Sequence, residues 1–352
     1  MPSNIELKDL LMMTIQKRAS DLHLTENTPP ILRIDGRLTL TDLPKLTRDD
    51  TKRLIYTILT DEQKEVFEKN WELDLSVAMP NMDRFRVNVH IQRGCVEAAF
   101  RRIPLEIPKL SDLDLPSIVA DLARKPNGLV LVTGPTGVGK TTTMAAMIDL
   151  INTERQDMII SIEDPIEFLH SNKKSVIKQR EVYSDTKSFA EALRHALRQD
   201  PDIIFVGEMR DLETISTALT AAETGHLVLA TLHTPDAPQT VERIIDVFPP
   251  YQQQQVKLQL ADCLQGVVSQ LLLPRSSGIG RIVSTEVMIG TPAIRNLIRE
   301  QEIEQIPTLI QTGQQFGMRT MDKSLKELYK TGVITYETAL SKAKHVDEFK
   351  AL

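Results

Sequence analysis

Residues 134–141 read Gly134-Pro135-Thr136-Gly137-Val138-Gly139-Lys140-Thr141, a G-x-x-x-x-G-K-[ST] string placed directly after the apolar run LVLVT and directly before TTTMAAMIDLIN. This order leaves the chain few choices. A strand must end where the glycines begin and a helix must start at the lysine. Backbone N–H groups then turn inward, and the positive end of the helix faces the same space. The spacing predicts a phosphate cradle formed by Gly134, Pro135, Thr136, Gly137, Val138, Gly139, Lys140, Thr141 and Thr142. In such a cradle the lysine reaches the β- and γ-phosphates of ATP and the Thr141 hydroxyl ligates Mg²⁺.

The surrounding sequence repeats the texture. MIISI, IIFV and LVLAT are short β-branched runs, each followed by a polar or glycine-containing loop and a helical pattern. Runs of this kind suit strands buried on both faces, so an α/β domain with a mostly parallel sheet is expected over 117–352, with short helices in 290–352. Residues 1–102 read as a smaller α/β domain. Helical spacing occurs at 5–17, 47–59 and 61–67, Ile31-Leu32-Arg33-Ile34 leads into an Asp35-Gly36 turn, and RFRVNVHI alternates as a half-buried strand does. Pro104, Pro108 and Pro116 mark 103–116 as a linker.

Composition removes several function classes. Forty-two Lys plus Arg against 48 Asp plus Glu leave a net charge of −6 in 352 residues, so no bulk attraction to nucleic acid or anionic lipid arises. One Trp, five Tyr and nine Phe offer few stacking platforms, and no nucleic-acid partner is expected. Cys95 and Cys263 are far apart and outside any CxxC pair, which excludes a disulfide scaffold or a four-thiolate zinc site. Neither a signal peptide nor a run of ~20 apolar residues is present, so a cytoplasmic protein that meets a membrane only through a partner is expected.

Hydrolysis needs a carboxylate near the phosphates. IIFV ends in Gly207-Glu208, a Walker B pattern with glycine at the usual aspartate position, and makes Glu208 the expected general base or water-orienting group. Glu163, in the acidic cluster after MIISI, occupies an equivalent strand end. His226 and His233 bracket LVLAT seven residues apart. Two histidines without a third ligand make a poor metal site, and the expected role is γ-phosphate sensing or loop coupling, against an ordinary structural hydrogen bond.

GPTGVGKTTT, SIEDPIEFLH, GEMRDLETI and TGHLVLATLHT together resemble the Walker A, Asp-box, Walker B and His-box motifs of the type II and type IV secretion ATPases. Residues 293–300, AIRNLIRE, resemble the signature of its pilus-retraction members, and the likeness runs from ASDLHLT at 19–25 to GMRTMDKSL at 317–325. The resemblance implies a PAS-like N-terminal domain joined flexibly to a RecA-like ATPase domain, assembled as a homohexameric ring. It implies that Arg86 and Arg101 approach the phosphates of a neighbouring subunit. It also implies an ATP-driven motor that withdraws type IV pili in twitching motility, acting with a PilC-like inner-membrane platform protein and a PilU-like paralogue at the cytoplasmic face. The AIRNLIRE signature is expected to serve retraction rather than hydrolysis. Rival readings are a PilU-like accessory motor and a pilus-assembly or type II secretion ATPase. The latter commonly carries extra N-terminal domains and a tetracysteine element, which 102 residues before the linker and two cysteines do not supply. The wording VHIQRGCVEAAF departs from the family's pattern, and Cys95 within it is expected to be an inert, small thiol.

Overall fold

The computed structural model describes residues 5–34, 36–78, 83–103 and 106–350. Asp35 of the expected turn and Pro104 of the expected linker lie outside these. The chain divides into two units, Met1–Glu106 and Ile107–Leu352.

In the first unit, strands β1 (Asp21–Leu24), β2 (Ile31–Ile34), β3 (Arg37–Leu40), β4 (Glu72–Ala78), β5 (Arg84–Gln92) and β6 (Cys95–Ile103) form an antiparallel sheet in the order β3-β2-β1-β6-β5-β4. Helices Leu7–Gln16, Arg48–Tyr56 and Asp61–Asn70 supply the apolar partners of one sheet face. The last two helices begin on capping boxes, Thr47 with Asp50 and Thr60 with Gln63, which satisfy their first free N–H groups. Alternation along β5 buries Phe85, Val87 and Val89 in the core and leaves Arg84, Arg86 and Asn88 on the other face. Cys95 is buried, and its thiol donates to Glu26 Oε2 at 2.7 Å, so it is packed and hydrogen-bonded.

The second unit carries β7 (Gly128–Thr133), β8 (Met158–Glu163), β9 (Val176–Glu181), β10 (Ile203–Val206), β11 (Leu227–Leu232), β12 (Leu264–Pro274) and β13 (Arg281–Ile289), ordered β13-β12-β7-β11-β10-β8-β9. Neighbours run parallel except β13, which pairs antiparallel with β12. The mostly parallel sheet is as the sequence predicts, and its central strands β7, β8, β10 and β11 are buried on both faces. Leu129 and Leu131 face one apolar cluster, with helices Leu212–Glu223, Ala237–Asp246 and Pro250–Cys263. Val130 and Val132 face another, with helices Ile118–Ala123 and Lys140–Glu154. The region after Gly290 is helical: Pro292–Glu300, Ile306–Thr312, Met321–Lys330, Tyr336–Leu340 and Val346–Lys350. Among the described residues, no helix is long and apolar enough to cross a membrane.

Candidate active site

Parallel strands present their carboxyl ends at a common edge, and at that edge four segments of the second unit meet. β7 runs into the glycine loop, β8 ends at Glu163, β10 is followed by Gly207-Glu208, and β11 is followed by His233. Gly134 has φ +136°, and a Cβ there would lie 2.4 Å from the Gln270 carbonyl of β12, so both conformation and space demand glycine. Gly139, at φ +92°, caps the helix Lys140–Glu154, which begins on the lysine of the motif. Pro135, Thr136 and Gly137 are exposed at the loop tip and Val138 is buried beneath it. Thr141 and Thr142, on the first helical turn, are half-buried.

The Lys140 ammonium donates to the carbonyls of Gly134 at 2.7 Å and Pro135 at 3.0 Å, and lies 3.4 Å from His233 Nδ1. Burial lowers its pKa from the ordinary lysine value, against the opposing charges of Glu208 and Glu167. Beside this turn is a cavity of about 260 Å³, lined by Leu113, Val138, Gly139, Thr142 and Ile282 and bordered by the Arg275–Asp114 ion pair at 2.9 Å.

Glu208 is held from two sides, by Arg210 Nε at 2.6 Å and His233 Nε2 at 3.2 Å. Burial pushes its carboxyl up, but Arg210 and His233 together hold it below the ordinary value, so it is an anion at neutral pH. The segment is stitched to β11 by Thr231 Oγ1 donating to the Gly207 carbonyl at 2.5 Å and Met209 N to the Thr231 carbonyl at 3.1 Å. A Cβ on Gly207 would stand 3.1 Å from the Ile162 carbonyl and 3.3 Å from Glu163 Cα. Any side chain at 207 would therefore press on the backbone of β8.

Glu163 is almost fully buried. Its Oε1 accepts from Ser161 Oγ at 2.7 Å and Gln179 Nε2 at 3.1 Å, yet desolvation outweighs these bonds and pushes its pKa up to about 7. Burial thus pushes Glu163 up while Arg210 and His233 hold Glu208 down, and opposite shifts of this kind are how paired carboxylates divide acid and base tasks.

The structure does not bring His226 to this edge. It precedes β11, with Nδ1 3.0 Å from the Ala221 carbonyl, and its own carbonyl accepts from Gly128 N at the start of β7. That is the opposite end of strands whose six residues span ~20 Å; within the subunit, therefore, His233 stands at the phosphate-loop edge and His226 does not. Arg86 and Arg101 lie directly opposite each other on β5 and β6, on the sheet face away from the helices of the first unit. Arg101 Nε donates to Asp21 Oδ1 at 2.9 Å.

Four residues of the site's surroundings were not singled out from the sequence. Arg210 sits two places after Glu208 in an extended segment, a spacing that returns a side chain to the same side. Gln270, a buried polar residue in the apolar run VVSQLLL, donates to Thr143 Oγ1 at 2.8 Å and ties β12 to the phosphate-loop helix. Ser269 and Thr133 share a hydroxyl hydrogen bond of 2.8 Å between β12 and β7.

A lysine seated inside its own glycine loop and linked through a histidine to an ionised carboxylate is the working edge of a P-loop ATPase, and this chain is an enzyme of that class. The family model described as Type II/IV secretion system protein matches residues 2–340, and the chain belongs to that family of secretion ATPases. It is 48% identical over 345 residues to the type IV pilus retraction ATPase PilT of Pseudomonas aeruginosa, covering 98% of this chain and 100% of the relative. It is also 48% identical over 316 residues to a twitching motility protein of Neisseria gonorrhoeae, covering 90% of this chain and 84% of that one. A crystal structure of the pilus retraction motor PilT with bound ADP superposes with a TM-score of 0.92 at 48% identity, over 99% of this chain and 100% of that chain.

Proposed function

We propose that the chain hydrolyses ATP to drive retraction of type IV pili, as the motor subunit of a homohexameric ring. The observation that carries the chemistry is the Glu208 carboxylate, ionised and fixed between Arg210 and His233, with His233 in turn 3.4 Å from the phosphate-loop lysine. Glu208 orients the attacking water and accepts its proton, while His233 couples the state of the γ-phosphate to the strand end. Glu163, buried at the end of the adjacent strand β8 and held by Ser161 and Gln179, is the second carboxyl group of the site. Lys140 and the loop N–H groups bind the β- and γ-phosphates, and the neighbouring 260 Å³ cavity, with apolar walls and a charged border, takes the nucleoside.

The residues present fit Mg²⁺: the Thr141 hydroxyl, on the first turn of the phosphate-loop helix, is a hard oxygen ligand, and the Glu208 carboxylate meets the same loop through His233 and Lys140. Mg²⁺ held there would supply neutralisation of the charge building on the phosphate oxygens. Arg86 and Arg101 of an adjacent subunit complete the site, an arginine-finger contribution worth roughly 10³–10⁵ in rate. Retraction is supported by PilT similarity across the whole chain and by the AIRNLIRE segment, which forms the helix Pro292–Glu300. The partners in this reading are a PilC-like platform protein at the cytoplasmic face of the inner membrane and a PilU-like paralogue.

Two measurements test the proposal. Glu208→Gln should lower ATP turnover at least 100-fold with ADP binding retained; comparable turnover would remove Glu208 from its role. Deleting the encoding gene should leave cells with abundant surface filaments and no twitching. A bald cell would indicate an assembly motor, and persistent twitching an accessory one.

A further inference from the structure

The loop that carries His233 is fastened from behind by the C-terminal helices. Three residues after His233, Asp236 caps the helix Ala237–Asp246 by accepting from Gln239 N at 2.9 Å. Its second oxygen accepts from Lys344 Nζ at 2.6 Å. Glu286, on β13, accepts from Ala237 N at 3.0 Å and stands 3.9 Å from the same ammonium. Asp236 and Glu286 are only 4% and 5% exposed, so two carboxylates converge on one turn with little solvent to screen them. Lys344 is the cation that meets both.

The backbone at Lys344 is held in place, while its side chain, 46% exposed, reaches from solvent to the two carboxylates. Asp322, buried at the start of the helix Met321–Lys330, accepts from the backbone N–H groups of Lys344 and His345, each at 2.9 Å. Burial alone would lower the lysine's pKa, but Asp236, Glu286 and Asp322 outweigh it and keep the group charged. An unbroken chain of contacts thus runs from the helix Met321–Lys330 through Lys344 to Asp236, along three residues of backbone to His233, and on to Glu208 and Lys140.

We propose that Lys344 is a positioning residue for hydrolysis, setting the His233 loop so that the imidazole meets Glu208, and that displacement of the C-terminal helices is felt at the nucleotide through this contact. The inference rests on the role given to His233 and Glu208 above. Removing the cation leaves the buried Asp236 carboxylate without its ion pair, beside Glu286, whose carboxyl burial already pushes up, and the loop must shift to hydrate it. A displacement of about 1 Å at a catalytic group costs up to roughly 100-fold in rate.

The test uses the full chain. Steady-state ATPase kinetics, binding of a fluorescent ADP analogue and the NMR resonances of the histidine rings are compared for wild type, Lys344→Met, Lys344→Arg, Asp236→Asn and the double variant Lys344→Met/Asp236→Asn. Lys342→Met, an exposed neighbour, controls for charge loss.

Lys344→Met should lower kcat roughly 10-fold or more, with KM and ADP affinity within twofold, and should move the His233 resonance. Lys344→Arg should restore most of the rate. Asp236→Asn should show a similar loss, the double variant no more than either alone, and Lys342→Met none. Wild-type turnover in Lys344→Met overturns the proposal. So does a parallel loss of kcat and ADP affinity that arginine fails to rescue. Turnover unaffected by Glu208→Gln would instead overturn the underlying site, and the positioning role with it.

Discussion

Glu163→Gln should make the protein more stable at alkaline pH while impairing turnover. The carboxyl titrates near pH 7 in the fold because burial disfavours its charge, against an ordinary value of 4.5. A carboxyl whose folded pKa is raised favours folding most below its unfolded pKa, and that advantage is lost as pH rises through the folded value. Wild type should therefore weaken from about pH 4.5 to 7 by this group alone. A shift of this size at 1.36 kcal/mol per unit comes to about 3 kcal/mol when complete, of which roughly 2–3 kcal/mol falls between pH 5 and 8. Glutamine keeps an acceptor for Ser161 Oγ and Gln179 Nε2 and does not titrate. Thermal unfolding of both proteins across this range should show the variant's advantage growing by about 4–12 °C from pH 5 to pH 8. A difference that stays flat with pH would refute the raised pKa, and one that grows in the opposite direction would show the carboxylate to be stabilised as an anion.

Arg295, within the AIRNLIRE segment, donates to the carbonyls of Gly290 at 2.8 Å, Asp262 at 2.5 Å and Leu264 at 3.2 Å, bonding the helix Pro292–Glu300 to the end of the helix Pro250–Cys263. Arg295→Met should cost about 2–4 kcal/mol, seen as a drop of roughly 5–12 °C in Tm with KM for ATP unchanged; a drop under 2 °C would show these carbonyls to be satisfied without it. Arg101→Met should reduce turnover by roughly 10³-fold with ADP affinity retained, if this arginine completes a neighbour's site. A loss under tenfold would assign it to the Asp21 ion pair alone.

Local chemistry was legible wherever a residue's role is set by its immediate neighbours in the chain. The glycines and Lys140 specify a strand, a turn and a helix within a dozen residues, and LVLVT, MIISI, IIFV and LVLAT announce buried parallel strands by their branched apolar runs. The long hairpin of β12 and β13 and the edge strand β9, VIKQRE, were less legible. Half-polar β9 lies at the sheet edge, paired with β8, and such a strand owes its state to that partner rather than to its own pattern.

Their places on either side of LVLAT made the two histidines look alike, but the direction of β11 sends them to opposite edges of the sheet. Whether a glutamate is a base or a buried acid was likewise invisible in the chain, because desolvation and the placement of Arg210 and His233 act through space. What the sequence by itself determined was the phosphate cradle, the sheet that supports it and the family to which both belong. Only the tertiary structure decided which carboxylate is charged, which histidine faces the phosphates and that Lys344 reaches the loop between them, since each depends on groups 25 to 108 positions apart being packed within hydrogen-bonding distance.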